Sequence, residues 1–244
     1  MSRFARLLVL PLALLAAAAS HAATREGSAA HFFTYRPASD QQAKFEKGYR
    51  QHLNWHRRHH DPLVWYGWTI QDGPRQGMFV DASVGEPFAA FDRRVDPGGD
   101  GVNFRKTAAP YATAIQSSSY VLLRELSSGF PLEQRQPSRV VQVVHYRLHP
   151  GGAGHFERAL QIMRKVLSST PDAPPHTWYR LTVGGAPEYM LMIARDNWAS
   201  YDHFNPRAAD LFGGNETALR EFAKAVSESE SETWQYHAEL SYLP

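Results

Sequence analysis

Residues 51–61 read QHLNWHRRHHD, so four of the chain's 12 histidines, His52, His56, His59 and His60, fall in one short run. Imidazole titrates near neutral pH and, when neutral, ligates transition metals. His52/His56 and His56/His60 stand four apart, which sets two rings side by side on one face of a helix. The pattern HLNWH departs from the zinc-protease motif HExxH, because Leu53 occupies the place of the general base. His52 and His60 would lie two turns apart, about 10 Å along the axis. A third ligand must therefore come from another element. His31, His145, His149 or an acidic side chain could supply it, and spacing selects none of them.

Other segments offer less chemistry. DPGGDG (96–101) lacks the spacing of a calcium-binding EF-hand loop and reads as a flexible turn. GGAGH (151–155) reads as a helix-start loop, since no Gly-Lys-Ser/Thr follows it. SESESE (227–232) reads as a solvated helix end, and no Ser-His-Asp set can be picked out. With Cys 0, thiol catalysis, zinc thiolates and disulfides are excluded.

The N-terminus carries Arg3 and Arg6, an apolar run Leu7–Ala19, and Ser20-His21-Ala22. This order predicts a secretory signal peptide over residues 1–22, with an uncleaved anchor as the alternative. The mature chain is then periplasmic or secreted, with no later segment apolar enough to span a bilayer. Loss of two arginines lowers Lys+Arg from 26 to 24, equal to the 24 Asp+Glu, and this balance gives no reason to expect nucleic-acid binding.

The elements that must position the histidines are written twice. Tyr35-Arg36 and Phe45-Glu46 recur as Tyr146-Arg147 and Phe156-Glu157, both displaced by 111 residues. Trp65-Tyr66 and Thr69 recur as Trp178-Tyr179 and Thr182, displaced by 113, and Glu125-Leu126-Ser127 returns as Glu239-Leu240-Ser241. Matches in constant order at a period near 110 argue for two duplicated units, over residues 23–134 and 135–244.

Each half reads strand, helix, two strands around a Gly/Pro turn, helical region, strand. The first strands are His31–Arg36 and Arg139–Arg147. The first helix is announced by Ser39-x-x-Gln42, a capping-box pattern, and stopped by Asp61-Pro62. Helical regions are predicted over Glu86–Ala114, interrupted at DPGGDG, and over Asn197–Glu228. Closing strands are predicted over Tyr120–Leu126 and Thr233–Leu240. The order βαββαβ is the ferredoxin-like unit. Two in tandem resemble the dimeric α+β-barrel superfamily, which includes antibiotic-biosynthesis-type monooxygenases, haem-degrading and haem-containing barrels, and NIPSNAP-like proteins. The resemblance implies an α+β fold in which one chain closes a barrel, with helices packed outside. It also makes monooxygenase-like or peroxidase chemistry and a haem cofactor expectations.

One half serves as the control for the other. On a helical wheel, Phe156, Ala159, Leu160, Met163, Val166 and Leu167 form an ordinary apolar stripe. The matching face of the first half carries Phe45, Tyr49, His52, Trp55, His56, His59 and His60. His52 stands in the place of Met163, and His56 in that of Leu167. A core-facing imidazole is unfavourable by roughly 1–3 kcal/mol unless it is hydrogen-bonded or ligated.

Three readings follow: histidines satisfied in a wetter core, a pocket for an aromatic or tetrapyrrole ligand, or a non-haem divalent-metal site. The expected site is a small-molecule pocket in the N-terminal half. His52 or His56 acts there as ligand or proton carrier, with Tyr49, Trp55, Tyr66 and Trp68 as walls. WYGWTI sets Trp65 on one strand face and Tyr66 with Trp68 on the other, and Gly67 leaves room for close approach. The alternatives are a non-enzymatic periplasmic binding or stress-associated protein, and a structural or interaction protein without a pocket.

Overall fold

The computed structural model describes residues 27–186 and 188–244; the predicted signal peptide lies outside the described residues. In chain order the elements are β1 (Ala29–Pro37), α1 (Gln42–Arg58), β2 (Tyr66–Ile70), β3 (Phe79–Glu86), α2 (Pro97–Thr107) and β4 (Ala112–Leu122). Then follow β5 (Val140–Leu148), α3 (Ala153–Ser168), β6 (His176–Val183), β7 (Glu188–Arg195), α4 (Ser200–His203), α5 (Ala208–Leu211), α6 (Glu216–Ala225) and β8 (Val226–Tyr236).

The strands form one closed antiparallel barrel in the order β1-β3-β2-β8-β5-β7-β6-β4. Within each set of four, the first strand pairs with the third and fourth, and the second with the third. The β2–β8 and β4–β6 seams close the cylinder, with Trp68 opposite Tyr236 at one and Tyr120 opposite Leu181 at the other.

Strand alternation divides the apolar residues into three layers. Phe32, Tyr66, Trp68, Tyr179, Met190 and Trp234 fill the barrel. Outside it, Phe45, Tyr49 and Leu53 of α1 pack on Trp65 and Phe79, while Phe156, Leu160 and Met163 of α3 pack on Trp178 and Tyr189. No described helix is long and apolar enough to cross a membrane.

Several local expectations are corrected. The Ser39–Gln42 capping box does not form: α1 starts from Gln41 without a side-chain cap. DPGGDG does not interrupt a helix but begins α2, with Asp96 accepting a hydrogen bond from the Gly99 amide at 3.0 Å and Pro97 in the first turn, where its missing N–H costs nothing. The region after Asn197 is three short helices. SESESE is strand rather than helix end, because β8 must pair along the whole of β5 to close the barrel. Alternation turns Glu230 and Glu232 towards the barrel mouth, and Glu232 there receives a bidentate bond from Arg75 at 2.8 and 2.7 Å.

The closing strands end at Leu122 and Tyr236, so the Glu-Leu-Ser repeats lie beyond them, their Glu-Leu pairs in 3-10 turns. The two serines do the same work. Ser127 Oγ accepts from the Trp178 amide and Ser241 Oγ from the Gly67 amide, each at 2.9 Å. Gly67 is indeed a close approach: a β-carbon there would strike the Leu240 carbonyl.

Candidate functional site

Of the four clustered histidines, His52 and His56 are buried at 7% and 2% exposure, whereas His59 and His60 are exposed beyond or at the frayed end of α1. The two buried rings face α2. Helical spacing puts Asp100, Asn103, Phe104 and Thr107 along one side of α2, and Gly48 lets α1 approach so closely that a β-carbon would meet the Thr107 carbonyl.

His56 Nδ1 bonds Asp61 Oδ2 at 2.7 Å, and His52 Nδ1 bonds Asn103 Oδ1 at 3.0 Å. The two Nε2 atoms stand 3.2 Å apart, with Asp100 Oδ1 at 3.3 Å from His52 Nε2 and 3.6 Å from His56 Nε2. That oxygen is buried and accepts no hydrogen bond, while Asp100 Oδ2 receives Arg94. Burial, and next the neighbouring His56, lower the His52 pKa to about 4.

Asp61, read from sequence only as a helix stop, is a hub. It accepts from the Leu63 amide and the Trp65 indole at 3.0 Å each, while Tyr242 donates to its carbonyl at 2.9 Å. Burial acts to raise its pKa, but the bonds from His56, Trp65 and Leu63 prevail and hold it below the usual carboxylate value.

The expected walls separate. Tyr49 and Trp55 flank the histidines: the Tyr49 ring lies 6.1 Å from His52 and the Trp55 ring 5.2 Å from His56. Tyr49 donates to Asp81 at 2.8 Å. Tyr66 and Trp68 face the barrel interior, across the sheet from the histidines, because alternate strand residues point to opposite faces. Trp65 takes their place, 5.1 Å from the His56 ring, together with Phe104 at 5.2 Å from His52. A tetrapyrrole does not fit at His52 or His56, because each Nε2 faces the other and Asp100 at close range. Of the suggested third ligands, His31 stacks on Phe91, His145 lies at the barrel mouth with Arg75 and Glu188, and His149 is exposed. Asp100 alone joins the pair, from the segment read as a turn.

An apolar cavity of about 260 Å³ lies in the other half, between α3 and the outer face of β5, β7 and β6, covered by the segment from Phe204 to Leu211. Trp178, Leu191, Tyr146 and Met163 give it an apolar wall. Gln142, Asn205, His176 and Arg195 are its polar side chains, and the last two are diagonal neighbours on one sheet face, since His176 pairs with Ile193. His176 Nδ1 lies 3.2 Å from both the Pro174 carbonyl and the Ser128 hydroxyl, and its buried Nε2 has no partner. The Arg195 guanidinium bonds the Phe204 carbonyl and Gln142 at 2.8 Å each, and its Nε–H is likewise buried without a partner. Burial lowers both pKa values. The internal comparison, run in reverse, carries part of this signal: at the displacement of 113, His176 stands where the first half has Leu63.

No family model matches the sequence, and no curated protein matches it. Solved structures do. A provisionally named monooxygenase from Lactobacillus acidophilus NCFM is 10% identical, with a TM-score of 0.57 over 86% of this chain and 94% of that one. An anthrone oxidase-like protein is 11% identical, with a TM-score of 0.53 over 88% and 93%. A mutant chlorite dismutase from Candidatus Nitrospira defluvii is 6% identical, with a TM-score of 0.55 over 88% and 92%. The chain shares the fold of these structures. Identities this low establish the fold alone.

Proposed function

We propose that this chain acts after export as a small-molecule oxidoreductase of the monooxygenase kind. Its ligand is a small aromatic molecule with one acidic or hydroxyl group, held beneath α3. The observation that carries this reading is the largely apolar cavity in which two of the polar lining side chains, His176 and Arg195, each retain an unpartnered buried atom. Buried polar groups are normally paired, so a lone acceptor beside a lone donor calls for a ligand group that offers both. At about 260 Å³ the cavity suits one or two fused rings, below the size that takes drug-sized ligands, and it leaves no room for a tetrapyrrole. Trp178 and Leu191 would cover the ring faces, and His176 would take or return the proton of the ligand's hydroxyl.

The test is binding of a panel of benzoates, phenols and naphthols to the full chain by calorimetry, with oxygen uptake measured for each binder. Binding that weakens in His176→Leu and Arg195→Met supports the pocket, and uptake coupled to ligand loss supports the enzyme. Binding without uptake leaves a carrier. No binding, or binding indifferent to both substitutions, removes the reading.

A further inference from the structure

The structure assigns a second site in the other half: His52 Nε2, His56 Nε2 and Asp100 Oδ1 are the three protein ligands of one first-row divalent transition-metal ion, with a coordination position left open.

Proton placement makes the first argument. Asp61, as a carboxylate, only accepts, so the proton of the His56 ring sits on Nδ1. Asn103 presents its carbonyl oxygen to His52 Nδ1, which places that ring's proton there too. Both Nε2 atoms are then bare lone pairs, and they face each other and a carboxylate oxygen that accepts no hydrogen bond. Three buried acceptors turned upon one another repel unless a cation lies between them.

Geometry makes the second. Edges of 3.2, 3.3 and 3.6 Å enclose a point about 2.0 Å from all three atoms, the length of zinc–imidazole and zinc–carboxylate bonds. A water molecule does not fit there. Among the described residues these are the only His, Asp or Glu side chains that converge in this way.

The surroundings make the third. Each ligand's other polar atom is held: His56 by Asp61, His52 by Asn103, and Asp100 by Arg94. A carboxylate behind a ligating imidazole fixes its tautomer and raises its basicity, as in carboxylate–histidine–metal sites. Asp61 and Asp100 against Arg94 leave one negative charge uncompensated in this buried cluster, which a dication more than offsets. Two imidazoles and one carboxylate suit zinc or iron(II), and three protein ligands leave room for a water or a small molecule. The α1 exchange of Met163-like and Leu167-like positions for His52 and His56 thereby acquires a chemical reason. This site is independent of the cavity beneath α3 and stands if that reading fails.

The experiment is equilibrium dialysis of the full chain, freed of metal by chelator, against Zn²⁺, Fe²⁺ under anaerobic conditions, and Co²⁺, with bound metal counted by elemental analysis and cobalt followed by its visible absorption. The expected result is one ion per chain, with an intense cobalt band that marks a site of low coordination number. His52→Met and Asp100→Asn should each weaken binding more than a hundredfold, and Asp61→Asn ten- to hundredfold. His59→Leu, on an exposed ring, should leave binding unchanged. Asp100→Asn keeps the shape of the side chain, so it serves if His52→Met does not fold. Failure to bind any of the three ions, or binding lost in His59→Leu and kept in Asp100→Asn, overturns the assignment.

Discussion

If an ion joins α1 to α2, the folded chain should be more heat-stable with it than without it. An ion that binds only the native state adds RT ln(1 + [M]/Kd), about 2.7 kcal/mol when free metal is 100-fold above Kd. For a domain of this size, 1 kcal/mol moves Tm by roughly 2–4 °C, so saturation should raise Tm by about 5–11 °C. In Asp100→Asn, a hundredfold loss of affinity at the same free metal leaves RT ln 2, roughly 0.4 kcal/mol, or about 1–2 °C. Scanning calorimetry on wild type and Asp100→Asn, each with chelator and with buffered free zinc, measures both shifts. Equal shifts in the two proteins would show that zinc acts elsewhere. No shift in the wild type, at free zinc far above any Kd measured by dialysis, would refute the reasoning that the cluster is built around an ion.

Three further outcomes follow from the same region. Gly48→Ala should force α1 away from Thr107 and spread the ligand triangle, lowering metal affinity at least tenfold while far-UV circular dichroism is retained. Burial raises the Asp81 pKa to about 7 although Tyr49 bonds it. A carboxyl raised in this way favours folding below its unfolded value of 3.8 and loses that contribution as pH rises towards and through 7. Asp81→Asn should therefore flatten the decline and be the more stable protein at pH 8, by on the order of a few kcal/mol, which is read as a higher Tm; equal Tm profiles would contradict it. His52, with its pKa lowered to about 4, behaves oppositely in the metal-free chain. The unfolded chain takes a proton below 6.5 and the folded one does not, so stability is present above 6.5 and declines as pH falls to about 4. His52→Met should remove that slope in urea titrations across pH 4–7.

Element order and facing were readable from the residues because both follow local periods. The 3.6-residue period of α1, set against that of α3, reduced four histidines to two, and burial of His52 and His56 with exposure of His59 and His60 follows that division. The two-residue period of WYGWTI likewise put Trp65 on one face and Tyr66 with Trp68 on the other. Periodicity does not say which face meets which partner. The sequence pattern places Tyr66 and Trp68 as walls beside the histidines, yet the closed barrel turns them inward and leaves Trp65 beside His56. Composition misled at SESESE, where alternating serine and glutamate looked solvated, although barrel closure required a strand and Arg75 waited for Glu232.

By itself, then, the sequence determined the succession of strands and helices and the one helix face on which hydrocarbon had become imidazole. The tertiary structure alone decided what that face meets. Asp100 reaches the two rings because DPGGDG starts a helix and Gly48 admits that helix against α1, and neither distance is encoded in any repeat along the chain. The cavity beneath α3 has the same origin. His176 and Arg195 lie 19 positions apart, and they become neighbours only through the pairing of β6 with β7.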